Sequence, residues 1–169
     1  MDHGIHHLSI SLETIPTITC LNLAQNPFGE EGCRDVATLL CQPLCTLRRL
    51  TIAGCLPGSS AGPRAWKTIG RVMAERHGFP PRPGDGGVIC LAAALISPHG
   101  CPLRSLRIVN AGFGYVGGKA LSAALSANST LEEMDLSGNK LSHKGLPDLL
   151  VMGLNATQAC ILSRHKPAT

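Results

Sequence analysis

A glycine-rich segment carries the most recognisable chemical motif of this chain. Gly112, Gly114 and Gly117 form the pattern G-x-G-x-x-G between a strand-like and a helix-like stretch, and acidic residues follow about 20 positions later. In dinucleotide-binding folds, glycines at this spacing let backbone N–H groups approach a pyrophosphate at a helix N-terminus. One hypothesis is therefore an enzyme fragment that binds a nucleotide such as NAD or FAD.

Three features of the surrounding sequence weigh against nucleotide binding. Arg104 and Arg107 alternate with apolar residues, which is typical of a strand with one buried face, whereas the central strand of a dinucleotide fold is apolar on both faces. Only about 50 residues follow the motif, too few for the remainder of such a fold. Gly117 also has counterparts at Gly32 and Gly145, where the motif is absent.

The cysteines and histidines do not form a recognisable catalytic or metal-binding set. The eight cysteines lack the paired C-x-x-C spacing of zinc sites, and His3, His6 and His7 are typical of a mobile, solvated N-terminal tail. Nucleophile-elbow and phosphate-loop motifs are absent. We therefore predict no catalytic residue, no metal ligand and no cofactor. The cysteines are expected to be thiols of a reducing compartment, the cytoplasm, with a nuclear or ciliary location and a disulfide framework as alternatives.

The composition excludes several classes of protein. Of the 169 residues, 44% are hydrophobic, 15% are charged and only 3% are aromatic, while 24 are leucine, so leucine and alanine must fill the core. The chain has neither a run of 18 uncharged apolar residues nor a secretory signal, so we expect no membrane association. The net charge of +4 is mild, and the scarcity of aromatic rings for base stacking disfavours nucleic acid as a partner.

An internal repeat organises most of the chain. The frame L-x-x-L-x-L-x-x-N/C occurs four times, and its copies start at Ile18, Leu47, Leu103 and Leu131. A glycine follows 14 positions after three of these starts, and an apolar residue follows four positions later. The alternating segment predicts a short strand with one buried face, and the segment after the glycine predicts a helix. Since one such unit cannot bury its own apolar face, neighbouring units must stack.

The last position of each frame is expected to stabilise the turn that follows the strand. Asn26 and Asn139 can satisfy backbone groups of the turn with a side-chain amide, whereas Cys55 can do so only weakly. The third frame has Ala111 at this position, and its neighbour Asn110 is the residue that could substitute.

These frames resemble the leucine-rich repeats of the ribonuclease-inhibitor-like class, whose units alternate between 28 and 29 residues. Here the first two starts are 29 residues apart and the last two are 28 apart. The resemblance covers nearly all of the chain outside residues 57–86 and the last dozen. It implies an α/β fold, a leucine-rich repeat solenoid shaped as a short horseshoe, with parallel strands on the concave face and helices on the convex face. It also implies a non-enzymatic module that binds a protein partner.

The repeat divides the chain into unequal parts. The sequence predicts a helical half repeat at 1–17, followed by repeat 1 and the strand of repeat 2 at 18–56. A Pro/Gly-rich basic insertion is predicted at 57–86, before the helix of repeat 2 and repeats 3 and 4 at 87–154. The remaining residues, 155–169, form a tail in which a further unit starts near Ala159. The insertion is expected to be unstructured, as from an altered transcript, or to carry a basic docking helix at 64–77. Neither end looks like a polar cap, so a longer array or a truncated product, and self-association through the ends, are expected.

The residues between the inward leucines of each strand should face solvent and form the binding surface. The candidate contact residues are Asn22, Arg49, Thr51, Ser105, Arg107, Glu133 and Asp135. Arg107 and Asp135 lie close enough on neighbouring strands to form an intramolecular salt bridge of little energetic value. Alternatively, the charges form a gradient from basic to acidic that orients a partner.

Overall fold

Strands and helices alternate along the chain in the computed structural model, which describes residues 2–15, 17–54, 82, 84–141 and 159–160. The strands are β1 (Cys20–Asn22), β2 (Arg49–Ala53), β3 (Ser105–Val109), β4 (Glu133–Asp135) and β5 (Ala159–Cys160), and the helices are α1 (Asp2–Glu13), α2 (Glu30–Leu40), α3 (Asp85–Leu95) and α4 (Tyr115–Ala127). The turn at Cys55, the glycine at Gly145, residues 57–81 of the insertion with its basic helix, and most of the tail lie outside the described residues.

The five strands form one parallel sheet in chain order, from β1 to β5. The register follows the repeat frame, because Leu50 lies opposite Leu21 on one side and opposite Leu106 on the other, and Met134 continues the row. The helices pack side by side in the same order, α1 on α2, α2 on α3 and α3 on α4. The fold is therefore the α/β solenoid that the repeat predicts.

The tail departs slightly from the expected frame. Ala159 lies opposite Glu133, and Cys160 lies opposite Met134. Met134 is the second leucine-class position of its frame, so a frame through β5 begins two residues before Ala159 rather than at it.

Equivalent apolar positions of successive units form one continuous core. The leucines of the strands β2 and β3 are fully buried, and the helix positions four and eight residues after the repeat glycine are no more than 4% exposed. These helix residues are Val36, Leu40, Leu91, Leu95, Leu121 and Leu125. The helices α2, α3 and α4 therefore each bury two residues one turn apart against the sheet, as the spacing of their apolar residues predicts.

The helices begin earlier than the repeat glycine. Gly32, Gly87 and Gly117 are each the third residue of a helix, so the prediction that repeat 2 resumes at Gly87 is wrong by two residues. Asp85 and Gly86 therefore belong to the repeat and not to the insertion. At Gly117, a Cβ atom would lie 2.9 Å from Asp85 Oδ1 and 3.0 Å from the Phe113 ring, so close packing between units requires glycine there.

The residue before the last position of each frame adopts a left-handed conformation. These residues are Gln25, Gly54, Asn110 and Gly138, with φ values of 63°, 64°, 51° and 72°. A glycine or asparagine tolerates this region at little cost, which explains three of the four residue types. Asn110 is exposed and shapes its turn through this backbone conformation rather than as a buried amide.

The asparagine that closes the fourth frame connects two neighbouring turns, as the sequence predicts. Asn139 accepts a hydrogen bond from Ala111 N–H (2.8 Å) and donates to the carbonyl oxygens of Ile108 (2.6 Å) and Leu136 (2.9 Å). The side chain is buried. Asn26 is exposed and donates only to carbonyl oxygens of its own turn, those of Leu23 and Ala24. The turn at Ala111 is thus stabilised by the asparagine of the following unit.

The two asparagines should differ in their effect on stability. We expect Asn139→Ala to lower the free energy of unfolding by about 3 kcal/mol, because it leaves buried backbone groups of two units without a partner. Asn26→Ala is the matched control and should cost about 1 kcal/mol, since water can replace its bonds. Urea unfolding followed by circular dichroism measures both values, and equal losses would contradict the bridging role of Asn139.

Candidate functional site

The face of the sheet opposite the helices, which we call the concave face, presents two rows of side chains in register. The first row is Cys20, Arg49, Ser105 and Glu133, and the second row is Asn22, Thr51, Arg107 and Asp135. Neighbours within a row lie on adjacent strands about 4.8 Å apart. Six of the seven predicted contact residues are exposed or half-buried, so the strands bring them together on one surface.

Ser105 is the exception among the predicted contact residues. It is only 9% exposed, so the prediction that it faces solvent openly is wrong. Its neighbours in the row are Arg49 and Glu133, whose long side chains flank the short serine on both sides.

Arg107 and Asp135 form the lateral salt bridge that the strand spacing predicts. Arg107 Nη2 lies 3.0 Å and Nε lies 3.3 Å from Asp135 Oδ2. The Arg107 side chain is 57% exposed and the Asp135 side chain 19%. An exposed pair of this kind contributes little to stability, and it neutralises both charges within the face.

Asp135 also holds the turn that follows β4. Its Oδ1 atom accepts hydrogen bonds from the backbone N–H (3.0 Å) and the hydroxyl of Ser137. Burial raises the pKa of Asp135, but the bonds from Ser137 and the Arg107 guanidinium outweigh it, so the pKa lies below its ordinary value. Asn22 has the equivalent position in β1, and its Oδ1 accepts the N–H of Ala24 at 3.0 Å.

A second ion pair, which the sequence reasoning missed, lies one residue before the first row. Arg104 Nη1 contacts Glu132 Oε1, and the two residues are 28 positions apart, as Arg107 and Asp135 are. The separation of 28 residues equals the length of one repeat, so the two side chains lie side by side where adjacent strands begin. This spacing could have predicted the pair from the sequence. Arg104 therefore does not contribute a free positive charge.

Two charged side chains of the concave face form no ion pair within the described part of the chain. The side chains of Arg49 and Glu133 are exposed, and neither forms a hydrogen bond or an ion pair with another residue in the described part of the chain. They lie on opposite sides of Ser105 in the first row. The gradient that the sequence predicts is thus reduced to one positive and one negative group, two strands apart.

The glycine motif is occupied by a side chain of the protein itself. Asp85 Oδ1 accepts hydrogen bonds from the backbone N–H groups of Gly114 (2.8 Å) and Gly117 (2.9 Å), at the N-terminus of α4. Asp85 Oδ2 accepts the N–H of Arg82 at 2.5 Å, and Asp85 is 2% exposed. The N–H groups that would hold a pyrophosphate in the nucleotide hypothesis thus hold a carboxylate from the preceding unit.

Asp85 was missed by the sequence reasoning because it was assigned to the insertion. A signal was present, because Asp85 lies two positions before the repeat glycine Gly87, as Glu30 lies two positions before Gly32. Glu30 occupies a similar place, since its Oε2 atom would be 2.5 Å from a Cβ added at Gly86. An acidic residue at this position can therefore reach the N-terminus of the next helix, where the helix dipole favours negative charge.

The thiols and histidines show no arrangement for catalysis or metal binding. Six cysteines are free thiols, namely Cys20, Cys33, Cys41, Cys45, Cys90 and Cys101. Burial raises the pKa values of Cys45, Cys90 and Cys101, which lowers their thiolate fraction. Within the described residues, no group of three or more His, Cys, Asp or Glu side chains is placed to hold a metal ion. His3, His6 and His7 lie on α1 rather than in an unstructured tail, and all three are exposed, as predicted. His6 Nδ1 lies 3.4 Å from Asp35 Oδ1 on α2.

In the part of the chain that the structure describes, no helix has the length and apolar character needed to cross a membrane.

Comparison with known proteins agrees with the repeat geometry. A family model described as Leucine Rich repeat matches residues 14–37 and 127–149. Ribonuclease inhibitor of Sus scrofa is 30% identical over 153 residues, which cover 86% of this chain and 32% of that protein. The chain belongs to the ribonuclease-inhibitor-like leucine-rich repeat family.

Other members of the family match equally well over most of the chain. NACHT, LRR and PYD domains-containing protein 3 of Homo sapiens is 31% identical over 153 residues, which cover 87% of this chain and 14% of that protein. Ribonuclease inhibitor of Mus musculus is 31% identical over 142 residues, covering 82% of this chain and 30% of that protein. The chain therefore spans less than a third of the length of these relatives.

The buried carboxylate of Asp85 should be essential for stability. We expect Asp85→Ala to lower the free energy of unfolding by about 3 kcal/mol, because three backbone N–H groups lose their acceptor. Asp35→Ala is the matched control and should cost less than about 1 kcal/mol, since Asp35 contacts His6 in a partly exposed ion pair. Urea unfolding measures both variants, and a small loss for Asp85→Ala would contradict its assignment as the acceptor of these groups.

The lowered pKa of Asp135 makes its contribution to stability depend on pH. A carboxyl group with a lowered pKa in the folded state stabilises the fold above its unfolded pKa of about 3.9, and the effect is lost as pH falls through the folded value. We therefore expect Asp135→Asn to be less stable than the wild type at neutral pH, by up to about 1 kcal/mol, and the difference to disappear in strong acid. Urea unfolding over a pH series tests this, and a difference that grows on acidification would contradict the lowered pKa.

Proposed function

We propose that this chain is a non-enzymatic module that binds a protein partner through the concave face. The observation that carries the proposal is the exposed pair of Arg49 and Glu133, which have no charged partner in the described part of the chain. The other charges of the face, Arg107 and Asp135, already neutralise each other. The family supports the same function, since the name of one relative, ribonuclease inhibitor, describes an action on another protein.

The geometry specifies the chemistry of the partner. Arg49 and Glu133 are two strand spacings apart, about 9.6 Å, with Ser105 between them. A partner that fits this face has a carboxylate opposite Arg49 and a cationic side chain opposite Glu133 at the same separation. Complementary charges of this kind fix the orientation of the partner and raise the association rate, and added salt weakens both effects.

Two further features support a non-enzymatic module, for which we also propose a cytoplasmic location. Asp85 occupies the N–H groups of the glycine motif, so a nucleotide phosphate would have to displace a buried carboxylate. The free thiols of the described cysteines suit the cytoplasm, where thiols stay reduced. Saturable binding of NAD or FAD that is lost in Gly114→Ala would contradict the non-enzymatic assignment. Self-association through the uncapped repeat ends stays a second proposal, and it would use the ends of the array rather than the concave face.

The double variant Arg49→Ala/Glu133→Ala tests the concave face. Tagged full-length chain, wild type and variant, is used to recover binding proteins from a cell extract, and each recovered protein is quantified by mass spectrometry. We expect the true partner to be recovered about tenfold less with the variant, because two charge-assisted contacts are lost. The purified partner should then bind the wild type more weakly as salt rises, as measured by calorimetry.

The control variant is Arg34→Ala/Glu31→Ala, which removes the same two charge types from exposed positions of α2 on the helical side. It should recover the partner as well as the wild type does. If every recovered protein binds all three chains equally, the assignment of the concave face is wrong. If the control variant loses the partner and the concave variant retains it, binding belongs to the helical side.

A further inference from the structure

Three arginines lie together at the end of the concave face where β2 and β3 begin. The register that pairs Arg49 with Ser105 places Arg48 beside Arg104, and Arg104 N–H donates to Arg48 C=O at 2.8 Å. The Cα atom of Arg48 is therefore about 4.8 Å from that of Arg104 and about 3.8 Å from that of Arg49. All three arginines are exposed. We call Arg48, Arg49 and Arg104 the arginine corner.

Like charges side by side are the exception on this sheet. The other two charged pairs at this lateral spacing that the structure describes, Arg104 with Glu132 and Arg107 with Asp135, join opposite charges. Arg48 has Arg104 as its lateral neighbour instead, and like charges in this arrangement destabilise a sheet. An anion bound between the guanidinium groups would turn this repulsion into attraction.

Two charges of the arginine corner are not neutralised. Arg48 and Arg49 form no ion pair in the described part of the chain. Arg48 Nη1 lies 3.5 Å from the carbonyl oxygen of Pro102, so its guanidinium group lies near the start of β3, as Arg104 does. Glu132 neutralises Arg104. The corner therefore has an excess of two positive charges, and the matching ligand is an anion with about two negative charges.

We propose that the arginine corner binds a phosphate monoester on a side chain of the protein partner, such as a phosphorylated serine. A phosphate of this kind carries about 1.5 to 2 negative charges and three acceptor oxygens. Guanidinium groups donate to it through pairs of parallel N–H bonds. A carboxylate carries a single charge, so it would satisfy Arg49 but leave Arg48 beside Arg104 without an anion.

This inference rests on the proposed function and sharpens it, because the anion of the partner opposite Arg49 becomes a phosphate. Clusters of arginine are one of the recurring means by which proteins recognise phosphorylated segments. The partner's cationic side chain opposite Glu133 is unaffected. The partner is therefore a protein whose binding to the concave face depends on its phosphorylation.

The composition favours a phosphorylated protein over a nucleic acid as the ligand. Each phosphate of a nucleic-acid backbone carries one negative charge, so a single backbone phosphate does not match the corner. The chain is only 3% aromatic, and it therefore has few rings on which the bases of a single strand could stack.

Three labelled peptides test the ligand. They carry fluorescein and have the sequence Gly-Gly-X-Gly-Gly, in which X is phosphoserine, serine or glutamate. In anisotropy titrations of the full chain at low salt, we expect the phosphoserine peptide to bind at least about tenfold more tightly than the glutamate peptide, because only the phosphate matches the excess of two charges. The serine peptide should not bind.

Substitutions at Arg48 separate a phosphate site from a general attraction between charges. Arg48→Gln should weaken binding of the phosphoserine peptide about tenfold, whereas Arg48→Lys, which keeps the charge but not the paired donors, should weaken it less. Arg34→Gln is the matched control, because it removes one positive charge from α2, and it should bind as the wild type does. Urea unfolding should show that Arg48→Gln is at least as stable as the wild type, because a like-charge contact is removed.

Four results would overturn the proposal. Equal affinity for the phosphoserine and glutamate peptides would show no preference for phosphate, and equal losses in Arg48→Gln and Arg34→Gln would show that only net charge matters. Inorganic phosphate that binds as tightly as the phosphoserine peptide would show that the site takes the free ion. A single-stranded RNA of five nucleotides that binds more tightly than this peptide, and no longer binds Arg48→Gln, would identify nucleic acid as the ligand.

Phosphatase treatment separates this inference from the proposed function. The tagged wild-type chain recovers binding proteins from two portions of one cell extract, of which one is first treated with a phosphatase. We expect the partner to be recovered about tenfold less from the treated portion. A partner recovered equally from both portions, yet lost in Arg49→Ala/Glu133→Ala, would refute the phosphate and leave the concave face as the binding surface.

Discussion

Every unit of this fold depends on its neighbour to complete its burial. A three- or five-residue strand and a short helix cannot enclose an apolar face by themselves, so each unit is covered by the next. The strand leucines show the dependence directly: Leu50 and Leu106 have strands on both sides and are fully buried, whereas Leu21, which pairs with β2 alone among the described residues, is only partly buried. Stability is therefore a property of the stack of units.

Buried polar groups also depend on the neighbouring unit, which supplies their hydrogen-bond partners. Asn139 accepts from Ala111 in the preceding unit, Asp85 accepts from Gly114 in the following unit, and Asn128 donates to Leu95 C=O at 2.7 Å across the helix ends. Each of these side chains is buried and satisfies backbone groups that secondary structure leaves unpaired at a turn or a helix terminus. The leucines bring the units together, and these bonds fix how they are aligned. Removing one of them affects two units at once.

The repeat frame predicted the strands, their parallel order and the buried helix stripe, because all three follow from the spacing of apolar residues. It also predicted the Arg107–Asp135 pair, since lateral contacts follow from strand spacing. Other features depend on neighbours that the frame does not describe. Ser105 lies between Arg49 and Glu133 in the strand register and is only 9% exposed, and the histidines of α1 lie on a helix because α1 packs on α2. Asp85 was concealed because the insertion interrupts the frame just before it.

The repeat length also decides which charges of the concave face pair within the chain. Residues 28 positions apart become lateral neighbours on adjacent strands, so opposite charges at that spacing pair within the chain, as Arg104 pairs with Glu132. A charge stays available only where its lateral neighbours are uncharged. Arg49 lies between Cys20 and Ser105, and Glu133 lies between Ser105 and Ala159. On the proposed binding surface, selectivity would therefore arise from the few positions where the repeat fails to pair its own charges, while the sheet and its core stay the same.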